Sequence, residues 1–141
     1  MTQQQTATID GIKELRKAFK ELSDSAQRGV LRTALRQAAK PVVKEARRRV
    51  PVDTGLTKKA IGTKVWLRKD SVATVMIGVR RGRKGKRHFL LHLLELGTRK
   101  MPARPFLRPA LDSQKNAAVT ALAKALKARI DKVTAKAKQR G

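Results

Sequence analysis

The chain has 141 residues, no Cys, and 35 Lys and Arg against 10 Asp and Glu, a formal charge of +25. With three Phe, one Trp and no Tyr, one domain of this length must fill a modest core with Leu, Val, Ile and Ala. Disulfides and thiolate metal sites are excluded, and no apolar run approaches the roughly 20 residues that span a bilayer.

Residues 1–8 are polar and read as a disordered start. The first ten, M-T-Q-Q-Q-T-A-T-I-D, lack the basic and apolar regions of a signal peptide, so synthesis in the cytosol is expected. Ile12, Leu15, Phe19 and Leu22 recur at helical spacing and predict a first helix from about Ile9 to Leu22. Ser23-Asp24-Ser25 offers turn and N-cap chemistry for a second helix. Along it, Val30, Leu31, Ala34, Leu35, Ala38, Val42 and Ala46 share one face. Arg28, Arg32, Arg36, Lys40, Lys44 and Arg47 populate the flanks. Pro41 removes one backbone hydrogen bond inside this pattern and predicts a bend in a helix that ends near Arg49.

Pro51 stops that helix, and Asp53-Thr54-Gly55 makes a turn. Leu56 to Ile61 reads as one helical turn. Strands are expected at Lys64–Arg68 and Val72–Val79, joined by a turn at Lys69-Asp70-Ser71. Both faces of the second strand are apolar, which predicts a central strand covered by helix on at least one face. Residues 80–87, R-R-G-R-K-G-K-R, cannot bury themselves and read as a mobile basic loop. Phe89 to Leu96 is a short apolar helix or strand closed by Gly97. Pro102, Pro105 and Pro109 hold the next segment extended. A last helix is expected from about Pro109 to Lys136, with Leu111, Val119, Leu122, Leu126, Ile130 and Val133 as its stripe, and residues 137–141 should fray. The sum is one α+β domain over residues 9–136: two N-terminal helices, a small antiparallel sheet, and a long C-terminal helix packed on the sheet.

The charge is not confined to one tail, since residues 1–70 hold 17 basic and 7 acidic residues and residues 71–141 hold 18 and 3. Such an excess attracts polyanions by counterion release whatever the fold, and it makes identical subunits repel. In the basic loop, Arg80, Arg81, Arg83, Lys84, Lys86 and Arg87 can grip phosphates without sequence preference or dock on an acidic partner ring; solvation alone is the bland alternative. The loop lacks interleaved aromatics, so a base-stacking surface is not indicated.

Chemistry-bearing motifs are few. Asp53 has no His or second carboxylate near it in sequence, so V-P-V-D-T-G-L reads as conformational: Pro51 blocks the helix, Asp53 accepts a local N–H, and Gly55 permits positive φ. His88, His92 and Glu95 could share one side of a helix at metal-binding spacing. The Glu that lies between the two His residues of H-E-x-x-H metalloproteases is missing, and no fourth ligand is suggested. No catalytic residue, cofactor site or metal site is therefore assigned.

Three segments resemble the tail-completion (head–tail joining, or neck) proteins of long-tailed bacteriophages, over about residues 9–115. Pro51, Thr54 and Gly55 match a P-x-x-T-G-x-L pattern, with Leu56 displaced by one and the trailing L-x-x-S-I reduced to L-T-K-K-A-I. His92, Glu95, Gly97 and Thr98 look like the family's His/Tyr, Glu-x-Gly-Thr element. Ala103, Pro105, Phe106, Leu107, Arg108, Pro109 and Ala110 agree in register with x-x-A-x-P-F-L-R-P-A. In that element the resemblance implies that Glu95 and Thr98 pin the loop entering the Pro-rich segment. A buried Glu95 beside so much Arg is expected to pair with Arg104 or Arg108. Physically, Phe106 and Leu107 anchor the chain in the core, and Pro109 suits a first helical turn.

The resemblance implies a structural virion protein and no enzyme. It implies a homo-oligomeric ring, a hexamer by symmetry with the tail, at the head–tail junction. Its partners would be the head-closure or connector protein and the tail-tube or tail-terminator protein, with DNA in the bore and no membrane. The implied location is the virion, and the host cytoplasm during assembly. A sequence-nonspecific nucleic-acid-binding protein, ribosomal-like or nucleoid-associated, is the alternative, supported by charge alone.

Overall fold

The computed structural model describes residues 11–51, 56–68, 72–79 and 88–140. Along the chain lie α1 (Ile12–Lys20), α2 (Asp24–Arg49), α3 (Leu56–Ala60), β1 (Ile61–Leu67), β2 (Ala73–Val79), α4 (His88–Leu96) and α5 (Leu107–Arg140). The fold class is α+β, with two N-terminal helices, a small antiparallel sheet and a long C-terminal helix.

The long helix differs in one respect from the expectation: its principal partner is α2, and α2 also carries both strands. α2 is thus the middle layer. Its buried residues Val30, Ala34, Ala38, Val42 and Ala46 recur every four positions, with Ala39 beside them. A ridge of such small side chains lets a second helix approach closely along its length. α2 runs uninterrupted through Pro41, and Ser23, extended at φ −62 and ψ 155, caps it without a side-chain hydrogen bond. Val50 (φ −65, ψ 132) turns the chain out of the helix just before Pro51, as steric conflict with a following Pro demands.

β1 and β2 pair antiparallel from Ile61↔Val79 to Leu67↔Ala73. β1 begins three residues earlier than the sequence predicts, because Gly62, which interrupts the apolar alternation, sits opposite Gly78. Arg68 N–H donates to Val72 O at 2.9 Å at the hairpin end, while the turn residues 69–71 lie outside the described residues. Among the described residues the sheet has only these two strands, so β2 is not central. α2 covers one face, and on the other Lys64, Trp66, Thr74 and Met76 are exposed.

The core gathers where these elements meet. Val42, Ala46, Val50, Ala60, Ile61, Leu91, Phe106 and Ala110 form one buried cluster, edged by Ile77, Val79, Leu94 and Leu107. Six of the thirteen buried apolar residues among those described are Ala, which makes the core thin for its length. α5 continues to Arg140, past the expected end near Lys136, since Ala, Lys, Gln and Arg are all strong helix formers.

Candidate functional site

The most ordered piece of local chemistry is the joint between α4 and α5. α4 ends at Gly97, whose φ of +74 is a conformation that L side chains rarely adopt. A Cβ there would also lie 2.8 Å from the Ala103 backbone nitrogen. The chain then makes a tight return. Thr98 N–H donates to Met101 O at 2.8 Å, Met101 N–H donates back at 3.3 Å, and Thr98 Oγ1 accepts from the Met101 and Lys100 amides at 3.1 and 3.3 Å. Arg104 N–H donates to Leu94 O at 2.7 Å and ties the Pro-rich segment to α4.

Glu95 completes the joint. Its carboxylate accepts the Phe106, Leu107 and Arg108 amides at 2.8, 3.0 and 3.1 Å. Those are the unsatisfied donors at the start of α5, and the fourth position is Pro109, which has none. One carboxylate and one proline therefore account for the whole helix terminus. The expected partners were Arg104 or Arg108; the structure corrects this, because the backbone amides converge on the carboxylate first. Partial burial pushes the Glu95 carboxyl upward, but the Leu107, Phe106 and Arg108 amides and the nearby Arg108 charge outweigh it, leaving the pKa below its ordinary value. A carboxylate so engaged is not placed to ligate a metal beside His92, which is exposed.

Phe106 is fully buried beneath this cap, with Leu107 half-buried, Pro105 and Arg108 exposed, and Pro109 half-buried. Pro51 is exposed just after α2. Asp53, Thr54 and Gly55 lie outside the described residues, as do Arg80, Arg81, Arg83, Lys84, Lys86 and Arg87. The motif residues Glu95, Gly97, Thr98, Phe106, Leu107, Arg108 and Pro109 are thus brought together in one joint.

A second surface went unread in the sequence. On the exposed face of the hairpin, Lys64 and Trp66 stand beside Met76 and Thr74, with Lys64 Nζ 4.9 Å from the centre of the Trp66 ring. Trp66 is 39% exposed and Met76 54%. The signal was present: Trp66 falls out of phase with Val65 and Leu67, so it had to face away from them.

The chain matches the family model described as "Bacteriophage HK97-gp10, putative tail-component" over residues 13–97. The chain belongs to this family. The matched stretch runs from α1 through α4 and ends at Gly97, so it includes Glu95 but stops short of the P-F-L-R-P-A segment. No curated protein and no solved structure matches the chain. Membership in this family of phage tail components implies a virion protein that contacts other virion proteins.

Proposed function

We propose that the protein is a non-enzymatic virion part at the head–tail junction of a long-tailed phage. Identical subunits form a closed ring, six-fold to match the tail. The ring joins the head-closure or connector protein to the tail-tube or tail-terminator protein, with DNA passing through its bore. Family membership carries this reading. Two physical features support it. The thin, Ala-rich core suits a subunit that neighbours stabilise. The exposed hairpin face carries Trp66 and Met76, the residue types enriched where proteins meet. Within such a ring, the joint at Glu95 and Phe106 acts as scaffold, holding α5 against α2. The basic segment at residues 80–87 meets a polyanion, either DNA in the bore or an acidic neighbouring ring.

Native mass spectrometry and electron microscopy of assembled particles test the ring. The expected result is one stoichiometric closed ring retained at the head–tail junction. A monomer absent from mature particles would overturn the reading and leave the sequence-nonspecific nucleic-acid-binding role, which the +25 charge favours.

A further inference from the structure

We propose that the outer ridge of α2 binds the phosphate backbone of a nucleic-acid duplex without reading its sequence. The ridge is Arg28, Arg32, Arg36, Lys40 and Lys44, all exposed. It runs two residues out of step with the buried Val30, Ala34, Ala38, Val42 and Ala46. At about 100° per residue, that offset sets each cation across the helix from its nearest buried residue, while the row as a whole winds roughly 160° around the axis from Arg28 to Lys44. Successive cations rise by about 6 Å, so the ridge extends roughly 24 Å along a rigid helix. This exceeds the Debye length of about 8 Å at physiological salt, so the ridge acts as a line of charge and not as one point.

On α2 itself little neutralises it. Asp24 and Glu45 are the only carboxylates on α2. Glu45 is occupied, accepting from Arg48 Nη2 at 2.6 Å and Arg49 Nε at 2.7 Å, and hydrogen bonds from Arg48 and Arg49 hold its pKa at about 2. Asp24 lines a cleft with Arg28 and Arg68 at the hairpin end, without forming an ion pair among the described residues. Arg68 therefore adds a further cation there. The four successive i, i+4 pairs of like charge work against the helix, and a bound polyanion would relieve them.

The partner follows from what the ridge lacks. None of the exposed large apolar side chains among the described residues lies on α2. A protein interface needs apolar anchors at its centre, whereas a phosphate backbone asks only for spaced cations. This inference concerns the isolated chain and does not depend on a ring.

The test compares two variants of equal charge in the full chain, binding a mixed-sequence DNA duplex across a salt titration. R28Q/R32Q/R36Q/K40Q/K44Q removes the ridge; K115Q/K124Q/K132Q/K136Q/K138Q removes five exposed Lys of α5. The ridge variant should lose up to roughly 4.5 from the slope of log affinity against log salt, about 0.9 per phosphate contact, and the α5 variant little. DNA should also raise the melting temperature of wild type more than that of the ridge variant. Equal losses in both variants would show diffuse charge and overturn the proposal. Wild-type binding by the ridge variant would overturn it too, as would loss of binding to polyglutamate alone. If the five-fold variant loses its helical circular dichroism, R32Q/R36Q carries the same test at a slope change of roughly 1.8.

Discussion

The two ends of α5 are held in opposite ways. Where it begins, Phe106 is fully buried, Glu95 takes three backbone donors, and Gly97 lets α4 turn back close against Ala103. Towards its far end, α5 meets α1, a nine-residue helix with no buried side chain, across an open groove lined by Leu15, Ala18, Ala123 and Ile130. Both ends belong to the same helix. What differs is whether the backbone of the incoming chain is committed as well as its side chains. Packing alone leaves α1 loosely attached, while packing plus a satisfied helix terminus fixes the joint.

Emptying the joint should have the largest effect. Phe106→Ala removes the largest fully buried side chain and should cost about 3–5 kcal/mol, a large share of a small domain's stability. Chemical denaturation should find the variant unfolded or close to it, and a wild-type midpoint would show that Phe106 is no anchor. Gly97→Ala comes next. It forces an L residue to φ +74 and sets a Cβ against the Ala103 backbone, for about 2–3 kcal/mol. If the variant melts with wild type, the turn is more adaptable than its geometry implies.

The elements of this comparison were unequally legible in the sequence. The four-residue recurrence of Val30, Ala34, Ala38 and Val42 announced α2 and its buried ridge, because helical period is a local property. The hairpin was visible for the same reason, in the alternation of Val65 and Leu67. The partner of Glu95 was not visible. Arg is abundant and promised an ion pair, but the backbone amides that reach Glu95 lie 11–13 residues downstream. Only the return of the chain through Gly97 and Thr98 brings them there. That α5 takes α2 as its principal partner was hidden too, since an apolar stripe shows that a face is buried but not what buries it.

Glu95→Gln should have an intermediate effect. The amide keeps an acceptor but loses the charge at a helix N-terminus and part of three charge-assisted hydrogen bonds, about 1–2 kcal/mol in all. The pH dependence follows from the direction of the shift. The folded pKa of Glu95 lies below the unfolded value of about 4.3, so its contribution is complete above that value and is lost as pH falls through the folded pKa. Wild type should therefore lose stability on acidification below about pH 4 more steeply than the Gln variant. Parallel acid profiles would mean that the carboxylate charge does not stabilise the joint.

The smallest effect belongs to the loose end. A nine-residue helix is not stable alone in water, so α1 is helical only while it rests on α5. Leu15 is half-buried and lines the groove, and Leu15→Ala should cost about 1 kcal/mol or less. That cost should fall on α1 and not on the cluster around Phe106. Hydrogen exchange separates the two: α1 amides should already exchange faster than those of α2 around Ala38–Ala46, and in Leu15→Ala the α1 amides should speed up while the others hold. A uniform acceleration across α1 and α2 would mean that the two ends of α5 unfold as one unit. The contrast between a clamped start and a loosely covered end would then be geometric only, with no energetic counterpart.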